Sequence, residues 1–530
     1  MKIRYSQKKG LVVTSFFFLL IMSCQSDKGR EKEMDLPNSG TIEIILNGKN
    51  LAVQVCGNCH LFPNPELLDK QTWREHVLPQ MSLYSGIYFD GRSYKPKIPE
   101  NFYKESSYGD LVSKLQLYPD SALISLQEWL QIENYYYEMA PEVLPAPPED
   151  PGEQNPSNIF SGVFPPFTFD NSYASTTLLH FDQASRLLYL GDNRTSTLYI
   201  LNSSFQVINK FPTGSAPVKV LERGGQLYIL TMGSFEAKGT QEGKLLFIKN
   251  GNISTLIEGL ERPVDFAIAD LNGDGEEEIL IAGFGSFQGN LSWYQKTTSG
   301  YKKNVLYNGP GATKIYTKDL NNNGRTDIAV LIAHGMEGIF FFMNEGNSSF
   351  SQKKIIEVPP VYGSTYFTFA DMNSNGLEDI IYVNGDNADL SPILKPYHGI
   401  RIFQNKGGFQ YEETHFISIH GAYKAICDDF NQDGQMDIAV VSFFPDYVLK
   451  PEAGFLLLLQ GDNETFNPHL LPEAREGRWI SMTSGDFSGD GNPQLLLGAH
   501  LLTQGPPVPI PLRNLWGQKK RTLLKISKSD

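Results

Sequence analysis

Asp429-Phe-Asn-Gln-Asp-Gly-Gln-Met-Asp437-Ile-Ala-Val-Val decides the fold, because the chain writes this stretch five times with variation. The other copies are Asp270-Leu-Asn-Gly-Asp-Gly-Glu-Glu-Glu278, Asp319-Leu-Asn-Asn-Asn-Gly-Arg-Thr-Asp327, Asp371-Met-Asn-Ser-Asn-Gly-Leu-Glu-Asp379 and Asp486-Phe-Ser-Gly-Asp-Gly-Asn-Pro-Gln494. Successive copies start 49, 52, 58 and 57 residues apart, in or just above the ~40–50 residue repeat of propeller blades. One loop per blade is the simplest reading.

The composition of the loop has a chemical reason. Oxygen side chains at positions 1, 3 and 5, a carbonyl at 7 and a carboxylate at 9 can wrap a hard cation, and glycine at 6 permits the tight turn that aims them inward. The alternative is a hairpin turn rich in Asp, Asn and Gly that holds no metal. Calcium is expected most strongly at Asp270, Asn272, Asp274 and Glu278 and at Asp429, Asn431, Asp433 and Asp437. Asp319, Asn321, Asn323 and Asp327, like Asp371, Asn373, Asn375 and Asp379, carry Asn at position 5 and should bind more weakly. Asp486, Ser488 and Asp490 belong to a loop that ends in Gln494, so that copy can be structural only.

At these residues the chain resembles the FG-GAP or VCBS-type repeats of bacterial propeller proteins, the calcium loops also found in the integrin alpha-chain propeller. The resemblance covers residues 160–530 and is carried by the five loops. Thr176–Asp182 and Val218–Thr231 repeat the strand–turn–strand rhythm without the ligands, which brings the blade count to seven. Each blade reads as four strands, with a second strand so apolar that neighbouring blades must cover both its faces. Blade seven is short of a strand after Thr522–Ser527, and residues 164–170 are expected to supply it and remove the open edge.

The first 24 residues read as a secretory signal: Lys2, Arg4, Lys8 and Lys9, then the apolar run Leu11–Met22, then Ser23-Cys24. Ile21-Met22-Ser23-Cys24 looks like a lipobox, in which Cys24 would become the lipidated first residue. The apolar run is short for a bilayer span, and residues 25–40 read as a charged tether. A bacterial cell envelope protein, held to its membrane by lipid, is the expectation. The net charge of −14 argues against nucleic acid as a partner.

Residues 41–140 do not resemble the repeats. They contain Cys56-Gly-Asn-Cys59-His60, the C-x-x-C-H attachment signature of c-type haem. Two thiols one helical turn apart can form thioethers with the vinyl groups, and the adjacent histidine then reaches the iron. A thioredoxin-like pair would want a βαβ context, a zinc site would want more ligands nearby, and a plain disulfide remains the rival in an exported protein. Cys427 reads as a small buried hydrophobe.

This segment resembles a small all-α cytochrome c domain of the kind fused to propellers in bacterial lipoproteins. Met81, two residues after Pro79, is the expected distal ligand, with His76 and Met139 as rivals. A helix over Leu123–Met139, apolar at Leu123, Leu126, Leu130 and Ile132, should cross the helix that bears the haem. Residues 86–118 form a Tyr-, Ser- and Gly-rich insertion without an evident role, and residues 141–158 read as a Pro-rich linker to a propeller at 159–530.

The loops between second and third strands lie opposite the cation loops. Long loops on a rigid scaffold tend to carry function, so Lys395, Tyr397, His398, Tyr447 and Lys450 are candidates for a docking or substrate face. His334, His398 and His500 recur at similar blade positions, which suggests that they converge on the axis. No nucleophile–base pair, P-loop or H-E-x-x-H motif occurs. Three functions remain: haem c electron transfer with the propeller as a docking module for an unidentified redox partner, an oxidoreductase with its substrate on the loop face and the haem as electron exit, or an adhesion or glycan-binding lipoprotein. Covalent haem speaks against the third.

Overall fold

Seven antiparallel sheets succeed one another along the chain in the computed structural model and make a seven-bladed β-propeller. The structure describes residues 39–99, 102, 109–146, 155–156, 158–169, 173–235, 239–285, 287–388, 391–501 and 508–529. The proposed signal peptide, Cys24 and the tether up to residue 38 lie outside them.

Blades one to six run over residues 176–212, 217–260, 263–308, 312–357, 364–418 and 422–470, each a four-stranded meander. The sequence rhythm translates directly: in blade three the strands are Pro263–Ala269, Glu278–Gly283, Asn290–Thr297 and Gly300–Asn308. In blades three to seven every residue of the second strand is buried, as in Asp327–Ile332 and Asp437–Ser442. The outermost strands, such as Ser349–Glu357, carry polar residues into solvent. Hydrophobic clusters join neighbouring blades, for instance Ile381, Val383, Ile400 and Ile402 of blade five with Ala425, Val440 and Leu458 of blade six. Burying such side chains stabilises by about 1.5–3 kcal/mol each before entropy is counted.

Blade seven is completed from the N-terminal side, but not by residues 164–170. Phe160–Val163 pairs antiparallel with Leu523–Lys528, outside Trp479–Gly485 and Gln494–Ala499. Pro165 and Pro166 lack the N–H that a ladder needs. Phe167 and Phe169 instead turn inward and pack edge-on against Tyr199 of blade one. Asn155–Pro156, in the expected linker, adds a short parallel strand beyond Phe466–Leu470 of blade six. A helix absent from the sequence reading, Ile510–Lys519, lies between the second and third strands of blade seven and buries Leu512 and Trp516.

The N-terminal part holds the helices Ser39–Cys56, a segment from Lys70 to Tyr84 with a π-helical turn at Trp73–Val77, Gly109–Lys114 and Leu126–Met139. It is not all-α as expected, because Tyr88–Phe89 and Tyr94–Lys95 pair as a short antiparallel hairpin. The helix Leu126–Met139 starts three residues later than expected because Ser125 and Glu128 close a capping box, each side chain meeting the other's backbone N–H. Its buried face is Trp129, Ile132, Tyr135 and Tyr136, whereas Leu123 and Leu130 are exposed. It does cross the first helix, and the contact is at Gly48: a Cβ there would stand 2.3 Å from the Gln131 carbonyl oxygen and 2.8 Å from Tyr135 Cβ.

Within residues 44–530, which pack as one unit, the helical part rests on the propeller. Tyr397 donates its hydroxyl to the Leu67 carbonyl, while Val361 and Ile393 pack on the helical core around Trp73 and Trp129. Ile98, Val112 and Tyr118 of the 86–118 insertion form a second apolar cluster with Leu83, and it takes in Phe287 of blade three. All these propeller contacts lie on the face opposite the acidic loops.

Candidate functional site

Each acidic loop joins the first and second strands of its blade, as the spacing predicts. The glycine at position 6 takes the left-handed conformation in all five, with φ of 87, 81, 83, 88 and 84° at Gly275, Gly324, Gly376, Gly434 and Gly491. The carboxylate at position 1 accepts from backbone N–H groups inside the turn. Asp319 takes those of Asn323 and Gly324 at 3.0 and 2.7 Å, and Asp429 those of Asp433 and Gly434 at 3.0 and 2.8 Å. The side chain at position 5 accepts from the N–H at position 7, as Asp274 does from Glu276 and Asp433 from Gln435, both at 2.8 Å.

Position 9 does more than face the loop. Asp327, Asp379 and Asp437 are fully buried. One oxygen accepts the N–H of position 2, and the other reaches across to the third strand, to Asn344, Asn405 and Gln460 at 2.7, 2.8 and 2.9 Å. Burial pushes the Asp437 carboxyl up to about 6, against the pull of these N–H donors.

In the loop at 270 the Asn272 amide nitrogen lies 2.9 Å from an Asp274 oxygen and 2.7 Å from a Glu278 oxygen, so these three side chains converge on one point. Among the described residues, no group of three or more His, Cys, Asp or Glu gathers closely enough to form a metal site from those residue types alone. A cation would therefore depend on the Asn and carbonyl oxygens of the loops. The fifth loop is occupied differently: Lys525 donates to the Ser488 hydroxyl at 3.0 Å and Gln494 does so at 2.7 Å.

Residues 270–330 and 319–382 match the family described as FG-GAP-like repeat. Over residues 270–382 the chain is thus similar to FG-GAP-like repeats. The matches take in the loops at 270, 319 and 371, and the loops at 429 and 486 share their turn geometry. No curated protein matches the chain. Solved structures of similar shape include the N-terminal domain of Nup159, at 11% identity and TM-score 0.40 over 73% of this chain and 100% of that one. Streptogramin B lyase follows at 10% identity and TM-score 0.44, over 70% and 98% of the two chains. BBS1N in complex with ARL6DN has 10% identity and TM-score 0.41, over 67% and 93%.

On the helical part, Cys56 ends the first helix and Cys59 and His60 follow in its terminal turn. Cys56 and Cys59 are free thiols. Burial pushes the Cys56 thiol up to about 11, with the Tyr136 hydroxyl beside it drawing it partly back. His60 Nδ1 lies 3.0 Å from the Leu61 carbonyl oxygen. If Nδ1 donates there, Nε2 is left with its lone pair, the tautomer a metal ligand needs. Burial lowers the His60 pKa and favours that neutral ring. Met81 is half-buried against the same cluster as Val55 and Phe62, which flank the motif. His76 is exposed, and so is Met139. Val53, Leu61 and Tyr84 are exposed apolar side chains on the same region. These residues fit a covalently held haem in donor set and polarity.

The expected docking residues on the loop face are mostly spent on the fold. Lys395 is buried and donates to Asn387 Oδ1 and the Ser391 carbonyl. Tyr447 is buried edge-on against Trp516, and Tyr397 holds the helical part. The two related insertions thus have different tasks: the one in blade five seats the helical part, and the one in blade six seats the C-terminal helix. The three histidines do not form one group. His500 stacks on Phe235 with ring centroids 5.0 Å apart, His334 sits 6.5 Å from Phe284, and the fully buried His398 lies edge-on to Tyr397.

Proposed function

We infer that the chain is an exported, lipid-anchored electron-transfer protein with one haem c and a calcium-stabilised propeller that acts as its docking and recognition module. The observation that carries this reading is the free C-x-x-C-H at a helix end, with the His60 Nδ1 turned to the Leu61 carbonyl. Cys56 and Cys59 would hold the haem, His60 would be its proximal ligand and Met81 the distal one. When bound, such a group supplies one-electron transfer at a potential set by its axial ligands. The chain's own part would be to orient His60 through the Leu61 carbonyl and to back the motif with the apolar cluster that includes Trp73, Val77 and Met81. Asp, Asn and carbonyl oxygens of the FG-GAP-like loops would hold calcium and relieve the cost of their clustered carboxylates.

A second reading is favoured by one contact set. The helical part lies on the loop face through Tyr397, Phe287 and Ile393, which is where a substrate on that face would meet the haem. The chain would then be an oxidoreductase with the haem as electron exit, and steady-state turnover with candidate donors separates the two.

The test is a pyridine haemochrome spectrum with haem staining of denatured protein, made alongside the cytochrome c maturation machinery. Covalent haem is expected in the wild type and not in Cys56→Ala/Cys59→Ala. A haem-free wild type under those conditions removes both redox readings and leaves a recognition protein.

A further inference from the structure

The innermost strands of the propeller bring together a set of cations that neither the haem reading nor the calcium loops use. Lys219, Asp265, Lys314, Tyr366 and Lys424 are each the third residue of the first strand in blades two to six. The next residue in each strand is packed into the cores between blades, as with Val220, Phe266 and Phe367. Alternation along a strand then aims the third residues at the axis.

Their contacts run from blade to blade around that axis. Lys219 and Lys314 both reach Asp265, the latter at 3.2 Å. Lys314 and Lys424 each lie over the Tyr366 ring, 5.6 Å from its centroid. Lys424 donates to the Met482 carbonyl of blade seven at 2.7 Å. His180 of blade one stands in the field of Lys219 and Lys424.

Three ammonium groups meet one carboxylate here, and the equivalents in blades one and seven, Leu178 and Ser481, are uncharged. The same chain carries a net charge of −14, so the local sign is opposite to the whole. Lys219 and Lys314 keep 28% and 19% of their side-chain surface accessible, so this enclosed place still admits water. Enclosed, uncompensated charge is costly. Burial, with Lys314 and Lys219 adding to it, drives the Lys424 ammonium down to about 8.

We propose that the axial channel is a binding site for a small dianion, a phosphate or a short dicarboxylate, held by Lys424, Lys314 and Lys219 with Asp265 fixing the two latter. Two positive charges in excess of Asp265 match two negative charges on the ligand. Each ammonium can give a charge-assisted hydrogen bond to an oxyanion, and the Tyr366 ring keeps Lys314 and Lys424 apart across the channel. The site needs neither haem nor calcium.

Isothermal titration of the full chain at pH 7, at fixed free calcium and constant ionic strength, tests this with inorganic phosphate in one arm and succinate in the other. Saturable one-to-one binding in at least one arm is expected, and which arm responds identifies the oxyanion. Lys424→Gln should weaken it about tenfold or more, the value of one lost hydrogen bond between charged groups. Asp265→Asn should strengthen it by releasing two ammoniums. Lys219→Met is a second weakening variant should Lys424→Gln not fold by circular dichroism. Absence of saturable binding in both arms overturns the proposal, as does binding of wild-type strength in the folded lysine variants.

Discussion

Tyr397 of blade five donates its hydroxyl to the carbonyl of Leu67 in the helical part at 2.9 Å, and its ring stacks on Tyr362 with centroids 4.7 Å apart. A single side chain thus ties a blade insertion to the loop that follows C-x-x-C-H. Tyr397→Phe keeps the stacking and should cost about 1 kcal/mol, the net worth of one hydrogen bond. Amide exchange should quicken in residues 65–72 and stay unchanged in blades one and two. Unchanged exchange in 65–72 would show that Val361 and Ile393 hold the junction without it.

The loops contain two kinds of carboxylate, and they should respond differently to substitution. Asp379→Ala strands the buried N–H of Met372, at about 1–3 kcal/mol, and frees the part-buried N–H of Asn405. Its loss of stability is expected in calcium and in EDTA alike. Asp274 is exposed, so Asp274→Ala should behave as wild type in EDTA and lose only the calcium-dependent part of the melting temperature. Thermal unfolding of both variants in the two buffers checks this.

Acid should weaken the fold through His500. Burial holds its pKa near 4, below the usual 6.5, despite the Thr176 carbonyl that accepts from Nδ1 at 3.2 Å in the neutral ring. The unfolded chain then binds the proton more readily, so this stabilisation is complete above 6.5 and is lost as pH falls toward 4. The loss amounts to roughly 3 kcal/mol. Urea unfolding at pH 7 and pH 4.5 should show a smaller difference for His500→Gln than for wild type.

Gly48 sets the distance between the first and last helices. Gly48→Ala places a methyl group 2.3 Å from the Gln131 carbonyl oxygen, a contact that forces the helices apart. Overpacking of this kind costs about 1–3 kcal/mol. The expected outcome is a lower melting temperature with the helical part unfolding first, seen as early loss of tryptophan signal from Trp73 and Trp129, while the β-sheet signal persists.

Much was legible in the chain because its causes are local. Nine residues suffice to write a turn: Gly434 must take a left-handed φ, Asp429 must accept the N–H groups of that turn, and apolar Ile438–Val441 must follow. Repeated five times, this fixed the blades and their number once Thr176 and Val218 began two more. C-x-x-C-H was readable for the same reason, with His60 and both thiols inside five residues. Partner choice over long distance was not local. Phe160–Val163, and not 164–170, closes blade seven, because prolines forbid the ladder further on and the free edge of Leu523–Lys528 accepts any segment with the right length and N–H groups. Asp327, Asp379 and Asp437 became ties to a third strand because that strand left an N–H within reach. Lys219, Lys314 and Lys424 come together only because blades two, four and six place the same strand position on one axis. Tertiary packing decides such matters, since burial and the pairing of leftover polar groups depend on every element around them.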